Sequence, residues 1–321
     1  MIDRDVRARA ADWLAAGRAA IVVEVLRTEG SAPRDAGSRM LVAADATVGT
    51  IGGGHLELKA IAAARTMLAR PDIEQPRQER FALGPSLGQC CGGAVTLAFA
   101  PLDGAALERW PEAPPLFHLQ LHGAGHVGRA IASALAPLDV EIDWFDPRDE
   151  EFPARTTLGA PWPARVCRIA VDTIEAEVRH APPGAFFLVL THEHALDLRI
   201  VEAILRRGDF AFCGLIGSKT KRAKFERRLE ERGVAAERIA RLACPIGVDG
   251  IEGKAPEVIA AAVVAQLLVE HGRVSRTTIG IDDDTTPTLV AAAGDRPPLA
   301  DDGGDGARVL ASSRPLRRPG G

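Results

Sequence analysis

Apolar runs alternate with helical patterns along the chain, and the order of these segments predicts an α/β protein. Short apolar or alternating runs are typical of strands, whereas apolar positions three and four residues apart are typical of helices. Strands are predicted at residues 19–26, 47–51, 77–83, 94–100, 116–121, 140–145, 165–170, 186–190 and 210–216. Helices are predicted at residues 6–16, 56–68, 129–135, 173–180, 198–206, 217–231 and 257–271. From residue 116 onwards the two kinds of segment alternate, which favours a parallel sheet with helices on both faces.

Composition divides the chain into regions. A smaller α+β N-terminal domain is predicted at residues 1–101, followed by a Pro-, Glu- and Ala-rich linker at residues 102–115. The parallel-sheet domain extends over residues 116–285, and the Pro-, Gly-, Asp- and Arg-rich residues 286–321 are expected to form a flexible tail. The last predicted helix is apolar almost all round, so we expect it to be buried and to end at Gly272.

A glycine-rich turn joins the predicted strand at residues 116–121 to the next helix. Its three glycines have the G-x-G-x-x-G spacing of dinucleotide-binding turns. The first permits a tight turn, the second lets a phosphate approach the backbone, and the third lets the helix pack close to the strand. An aspartate follows the next strand, where such folds place an acceptor for a ribose hydroxyl. We therefore predict a Rossmann-like domain whose phosphorylated ligand contacts Gly123, Gly125, His126, Gly128 and Asp146.

Two further turns have the same character. The glycine run at residues 52–54 feeds a helix N-terminus, where exposed amides and the helix dipole suit an anion, although three glycines can also serve only as a tight connection. A serine after the strand at residues 210–216 is placed to cap a strongly basic helix. A solvated helix with paired charges is the alternative interpretation of that segment. The predicted ligand-binding residues of these turns and of the loop before the first are Arg34, Gly52, Gly53, Gly54, His55, Glu57, Ser218 and Lys219.

Two other segments carry candidate chemistry. Cys90 and Cys91 are adjacent within a glycine-rich loop, a spacing that suits a soft metal, a sulfur-rich ligand or redox chemistry better than a zinc site. His192 and His194 follow the strand at residues 186–190, where parallel sheets bind ligands. Their H-x-H-x-x-D order is not a zinc-protease spacing, so ligand contact, a catalytic metal and a purely structural loop all remain open.

Bulk composition narrows the class of protein. The net charge of −4 and the aromatic content of 4%, with no tyrosine, argue against nucleic-acid binding. The sequence has no uninterrupted apolar run of the length that spans a bilayer, and its start lacks the apolar core of a signal peptide, so we expect no membrane association. Five cysteines without regular spacing indicate a reducing compartment, and a cytoplasmic location is expected.

Taken together, the motifs resemble those of the xanthine dehydrogenase accessory factor family, XdhC. The resemblance extends from Trp13 to Leu268 and rests on many short motifs in a fixed order. These are G-S-A-P-R, I-G-G-G-H-L-E, Q-C-C-G-G, G-A-G-H-V-G-R, T-H-E-H-A-L-D, G-L-I-G-S-K-T-K-R, C-P-I-G and G-K-A-P-E-V-I-A. Lys219 stands where relatives commonly have arginine, and the C-terminal tail is not covered.

This resemblance implies a cofactor chaperone rather than an enzyme. Such proteins bind and protect the molybdenum cofactor (molybdopterin), present it for sulfuration by a cysteine desulfurase and insert it into an apo xanthine dehydrogenase or related molybdoenzyme. The protein is also expected to form a homo-oligomer, specifically a homodimer. It assigns Cys90 and Cys91 to holding the cofactor, with a contact to the molybdenum centre.

An NAD(P)-dependent oxidoreductase is the alternative, because the glycine fingerprint taken alone favours NAD(P). In that case Asp146 would bind the ribose, and His192 or His194 would act as acid and base. The extra glycine turn at residues 52–54 and the cysteine loop have no role in hydride transfer, whereas a carrier would use them. A nucleotide bound in the Rossmann-like turn as a structural or regulatory ligand is compatible with the chaperone.

Overall fold

Two β-sheets, one antiparallel and one parallel, organise the protein in this computed structural model, which describes residues 3–70, 76–83, 93–112 and 114–279. The first half contains α1 (Asp3–Ala15), β1 (Ile21–Glu29), β2 (Arg39–Val42), β3 (Thr47–Gly49), α2 (Gly54–Leu68), β4 (Arg77–Ala82), β5 (Ala94–Pro101) and α3 (Gly104–Glu108). The second half contains β6 (Phe117–His122), α4 (His126–Leu135), β7 (Val140–Asp146), β8 (Val166–Ala170), α5 (Ile174–Glu177), β9 (Phe186–Val189), α6 (His194–Arg207), β10 (Phe212–Leu215), α7 (Lys219–Glu231), α8 (Ala236–Ile239), β11 (Leu242–Ala243) and α9 (Pro256–Ile279).

The N-terminal sheet is antiparallel, with strand order β3-β2-β1-β5-β4. Successive residues of β1 point to opposite faces, so that Ile21 and Val23 pack in the cluster with α2 whereas Val22 packs in the cluster with α1. Helix α2 contributes Leu56 and Ala60 to the first cluster. A helix on each face therefore covers this sheet, which is the predicted smaller α+β region.

The second sheet is parallel throughout, with strand order β11-β10-β9-β6-β7-β8. Helices α4 and α9 pack on one face, and α6 and α7 pack on the other. The strand order reverses between β6 and β9, which creates the crevice where open α/β sheets bind ligands. The predicted Rossmann-like sheet with helices on both faces is confirmed.

The segment predicted as a linker packs against the N-terminal sheet. It contains α3, whose first turn is capped by Asp103, because the carboxylate accepts a 2.6 Å hydrogen bond from the Ala106 amide. Trp110 is 2% exposed and donates a 2.9 Å hydrogen bond from Nε1 to Asp3. Residues 1–280 form one compact unit, so the domain limits drawn from composition stay a prediction.

Ion pairs join α1 to the amino end of the parallel sheet. Arg4 lies 3.6 Å from Asp139 and 2.9 Å from Glu141. Arg165 lies 2.9 Å from Asp5, and its Nε donates a 3.0 Å hydrogen bond to the Leu138 carbonyl. The two sheets are thus held together at the start of β7 and β8, the end opposite the glycine turn.

Helix α9 differs from its prediction in length and burial. It continues beyond Gly272, because one glycine lowers helix stability by only about 1 kcal/mol. Leu268, Val269 and Val274 are exposed, so the expectation of burial all round is wrong. By length and composition this helix could span a membrane, but core helices of soluble proteins meet the same criterion, and Ala260, Val263 and Leu267 are buried in the core. The predicted tail at residues 286–321 lies outside the described residues.

His122 is a polar residue in an apolar layer of the parallel sheet. It is fully buried and stacks between Phe145 and Phe187, with ring centroids 5.4 and 6.3 Å away. Neither ring nitrogen has a hydrogen-bond partner in the described part of the chain. Burial lowers the pKa of His122 to about 3, against a weak opposing attraction from Asp143. The ring is therefore neutral in the folded protein.

This burial makes stability depend on pH. The unfolded chain takes up a proton near pH 6.5 that folded His122 cannot accept, so its stabilising contribution is lost as pH falls from 6.5 towards 3. Between pH 7.5 and 5, the unfolding free energy of the wild type should fall by about 2 kcal/mol more than that of His122→Phe. Urea denaturation measures the difference, with the exposed His126→Gln as control. Equal pH dependence of the wild type and His122→Phe would contradict this account of the ring.

Candidate functional site

The glycine turn after β6 has the geometry that its sequence predicts. Gly123 has a φ of +120°, and a Cβ at this position would lie 2.4 Å from the Leu190 carbonyl oxygen. A Cβ on Gly128 would lie 2.1 Å from the Gly123 carbonyl oxygen. Only glycines allow this approach of α4 to β6. The predicted roles of these two residues in the turn and in helix packing are confirmed.

The second glycine of the motif faces open space. Gly125 is the N-cap of α4, and nothing lies within 4 Å of a Cβ built on it. His126 follows as the first helical residue and is exposed. A ligand can therefore come close to the backbone at the helix N-terminus, where amide groups favour an anion. Contact of Gly125 and His126 with a phosphate stays a prediction.

Asp146 at the end of β7 has partners within the protein. Its carboxylate is 1% exposed and accepts a 2.7 Å hydrogen bond from the Ala124 amide. Arg148 donates to both oxygens, at 2.9 and 3.1 Å. Burial opposes ionisation, but these hydrogen bonds outweigh it and lower the pKa of Asp146. A ribose hydroxyl at this carboxylate would have to compete with Arg148, which makes Asp146 an organiser of the glycine turn in this structure.

Arg148 belongs to a charged network that closes around the turn. Its guanidinium also lies 3.1 Å from Glu151, and Glu151 forms an ion pair with Arg129. The Nε of Arg129 donates to the carbonyl oxygens of Ala124 and Glu151, at 2.8 and 3.0 Å. The structure therefore pairs Arg148 with Asp146 and Glu151.

A buried ion pair connects the loops after β9 and β10. Asp197 is fully buried, and its carboxylate lies 2.7 Å from Lys221 Nζ. The other oxygen of Asp197 accepts hydrogen bonds from the Thr191 amide and hydroxyl, at 3.0 and 2.7 Å. Lys221 passes over Gly217, where a Cβ would lie 2.6 Å from the lysine Cδ. The carboxylate in the H-x-H-x-x-D motif therefore fixes two loops of the crevice, a role that sequence analysis did not predict.

The remaining predicted residues of this crevice are exposed. His192, His194, Ser218 and Lys219 all lie on the solvent side of these loops. Ser218 is the N-cap of α7, as predicted, and accepts a 3.3 Å hydrogen bond from the Lys221 amide. Within the described ranges, no group of three or more His, Cys, Asp or Glu side chains is placed to hold a metal ion. Ligand contacts of these four residues stay predictions.

A second group of predicted residues meets in the N-terminal domain. A Cβ on Gly52 would lie 2.6 Å from the ring of Pro33, next to Arg34. A Cβ on Gly93 would lie 2.2 Å from the Glu29 carbonyl oxygen and 2.5 Å from that of Ser31. The G-S-A-P-R loop thus contacts both the glycine run at residues 52–54 and the end of the Q-C-C-G-G motif. Cys90 and Cys91 themselves lie outside the described residues.

The Glu57 side chain holds the glycine run at residues 52–54 in place through hydrogen bonds. Its Oε2 accepts hydrogen bonds from the Thr50 hydroxyl at 2.6 Å and from the Ile51 and Gly53 amides at 3.2 and 3.1 Å. The Glu57 carboxylate therefore takes part of the place that the sequence predicts for a bound anion at this turn. Positive φ angles of +120°, +74° and +63° at Gly52, Gly53 and Gly54 explain the three glycines. His55 follows at the exposed helix start.

The two groups lie at opposite ends of the parallel sheet. Arg34 lines a cavity with Leu116 and Asp139, which precede β6 and β7, whereas Gly123 follows β6. Six residues of β6 separate the two ends by roughly 20 Å. The structure therefore does not bring the predicted site residues into one cluster.

The cysteines that the structure describes do not provide a thiolate, either at the glycine turn after β6 or in the N-terminal group of predicted residues. Burial raises the pKa of Cys213 to about 12 and also raises that of Cys244. Cys167 is exposed on β8, and its pKa is raised by partial burial and then by Asp143 and Glu141. All three thiols are protonated at neutral pH.

The reversal of strand order and the glycine turn define an α/β protein. Its Rossmann domain follows a smaller antiparallel-sheet domain in the sequence. A family model described as the XdhC Rossmann domain matches residues 119–267, and one described as the XdhC and CoxI family matches residues 13–81. The chain belongs to the XdhC family, a family of accessory factors.

Similarity also extends to a curated relative and to a solved structure. The chain is 34% identical over 258 residues to the uncharacterized protein YqeB of Escherichia coli (strain K12), over 77% of this chain and 42% of that protein. The chain therefore spans less than half the length of this relative. A crystal structure of a xanthine dehydrogenase from Bacillus halodurans has a TM-score of 0.67 over 89% of this chain and 98% of its own, at 19% identity. That likeness concerns the fold alone.

The glycine turn yields a matched pair of variants. Gly128→Ala should lower the unfolding free energy by roughly 2–3 kcal/mol, because its methyl group meets the Gly123 carbonyl. Gly125→Ala is the control, since its φ of −67° suits alanine and the space around it is open; its loss should be below about 1 kcal/mol. Urea denaturation of both variants measures the difference. Losses of equal size would show that the close approach is not a constraint on the fold.

Proposed function

We propose that this protein is a molybdenum cofactor-binding accessory factor rather than an enzyme. It protects the cofactor, presents it for sulfuration by a cysteine desulfurase and inserts it into an apo xanthine dehydrogenase or related molybdoenzyme. Membership in the XdhC family supports a role in xanthine dehydrogenase maturation. A cytoplasmic location and a homodimer belong to the same proposal.

The observation that carries the proposal is the meeting of three family motifs in the N-terminal domain. The G-S-A-P-R loop contacts Gly52 and Gly93, so the glycine run and the end of the cysteine motif both lie against it. The set of groups suits molybdopterin: Arg34 and the open, left-handed Gly53 for the phosphate, and a cysteine pair that ends two residues before Gly93 for the soft metal–sulfur centre. Bound there, the cofactor would supply its molybdenum dithiolene to the recipient enzyme.

The crevice geometry weighs against hydride transfer. Asp146 is committed to Arg148 and the Ala124 amide instead of being open to a ribose. His192 and His194 are exposed, and the carboxylate nearest in sequence, Asp197, is paired with Lys221. In catalytic sites a third group often orients the acid–base residue, and these histidines have no such partner in the motif that contains them.

A nucleotide at the glycine turn is a compatible second ligand. The open space at Gly125 and the exposed start of α4 favour a phosphate at this point. We propose that a nucleotide phosphate, from NAD(P) or from a dinucleotide form of the cofactor, binds there as a structural or regulatory ligand.

The chaperone function is tested with released molybdenum cofactor and the purified full chain. The protein should bind the cofactor near stoichiometrically and slow its oxidative loss, as measured by reconstitution of an apo molybdoenzyme over time. Cys90→Ala with Cys91→Ala should shorten retention roughly tenfold or more, whereas the exposed Cys167→Ala is the matched control and should not. Binding of NAD(P)H without any protection of the cofactor would overturn the proposal.

A further inference from the structure

Helix α9 presents a second apolar face to solvent, opposite the face that packs in the core. Ala260, Val263 and Leu267 follow one another at intervals of three and four residues and are buried against α4 and the parallel sheet. Leu268 and Val269, on the outer side, are 38% and 48% exposed. The helix is apolar enough to span a membrane, yet only a minority of its most apolar stretch is buried. Its outer face therefore lacks the cover that an apolar helix face normally has.

Four residues form the centre of this outer face. Ala261, Ala265, Leu268 and Gly272 recur at intervals of four, three and four residues, which aligns them along one side of the helix. Ala261 and Leu268 are exposed, and Ala265 and Gly272 are half-buried. No charged residue interrupts this line, and its three small residues let another helix approach closely.

Charges of opposite sign stand at the two ends of the outer face. Glu257 lies in the first turn of α9 and Arg276 in the last, and both are exposed. Neither side chain forms an ion pair or a hydrogen bond with a residue that the structure describes. An acidic end and a basic end on one apolar face make that face complementary to itself when it is turned end for end.

We propose that the outer face of α9 is the interface of a homodimer, in which α9 packs antiparallel to α9 of a second copy across a twofold axis. The axis passes at the level between residues 266 and 267, so that residues equally far from it lie at the same level of the two helices. The pairs at equal level are Ala261 with Gly272, Ala265 with Leu268, and Glu257 with Arg276. Leu268 then meets a small residue, and each charge meets its opposite. That the protein is a homodimer rests on the proposed function, whereas the choice of this face rests on its self-complementarity.

A second copy fits this face better than a lipid surface does. Amphipathic helices that lie on membranes carry bulky apolar residues together with a polar face rich in lysine and arginine. The outer face of α9 instead has alanine or glycine at three of its four central positions, and the opposite side of the helix is buried in the core. Small residues contribute little to insertion into lipid but allow two helices to pack closely.

Sedimentation velocity of the full chain, over a range of protein concentrations, tests the assignment. The wild type should form a dimer, and Leu268→Glu should raise the dissociation constant of that dimer roughly 100-fold or more, because it buries two carboxylates beside the axis. Leu58→Glu, the same change at a 65% exposed leucine of α2, is the matched control and should leave the dimer unchanged. Both substitutions are at exposed side chains, so both variants should fold, which circular dichroism checks.

A charge reversal tests the register of the two helices. Glu257→Arg and Arg276→Glu should each weaken the dimer roughly fivefold at low salt, because each places like charges at both ends of the interface. The variant with both substitutions should regain the association of the wild type. Effects confined to each helix end would add in the double variant, whereas pairing between the helices makes them cancel.

A monomeric wild type, or a dimer that Leu268→Glu leaves intact, would overturn the assignment. A monomeric wild type that cosediments with vesicles of phosphatidylglycerol and phosphatidylcholine would overturn it in favour of a membrane. These outcomes are distinguishable from failure of the cofactor function, because that function is scored on cofactor protection and on the cysteine variants. A monomer can still protect the cofactor, and a dimer formed through α9 can fail to do so.

Discussion

The close approach of α4 to β6 is the constraint on which the parallel half of this protein depends. No side chain fits between Gly128 and the Gly123 carbonyl oxygen, and the same oxygen accepts a 2.9 Å hydrogen bond from the buried Trp144 ring. The turn held in this way directs the Ala124 amide to Asp146. Arg148, Glu151 and Arg129 then close a ring of charges around it. The G-x-G-x-x-G motif, often interpreted as a nucleotide signature, thus serves mainly to pack α4 against β6. Only Gly125 and the exposed start of α4 face the space where a ligand could bind.

The second organising fact is that ligand-directed features lie at both ends of the parallel sheet. At the carboxyl end, the loops after β6, β9 and β10 are fixed by buried carboxylates that have their partners within the protein. At the amino end, ion pairs hold α1 against the sheet, and Asp3, Arg34 and Asp139 line the cavity beside them.

Sequence patterns predicted the sheet domain well and the site only in part. Strand β6, the glycine turn and helix α4 follow from apolar periodicity and from backbone angles that only glycine adopts easily. The short elements α3, α8 and β11 escaped prediction because they are too short to show a period. The continuation of α9 past Gly272 escaped because tertiary packing outweighs one unfavourable residue. The partners of Asp146 and Asp197 could not be predicted, since a carboxylate at a strand end is the same in sequence whether it meets a ribose, an arginine or a lysine.

Family membership and the contacts of the G-S-A-P-R loop with Gly52 and Gly93 together support the proposed cofactor carrier. The most direct measurement is the molybdenum and pterin content of the full-length protein isolated from cells supplied with molybdate. The account predicts near-stoichiometric molybdenum and pterin in the wild type, and loss of both when Cys90 and Cys91 are replaced by alanine. Protein that carries NAD(P) but neither molybdenum nor pterin under these conditions would contradict it.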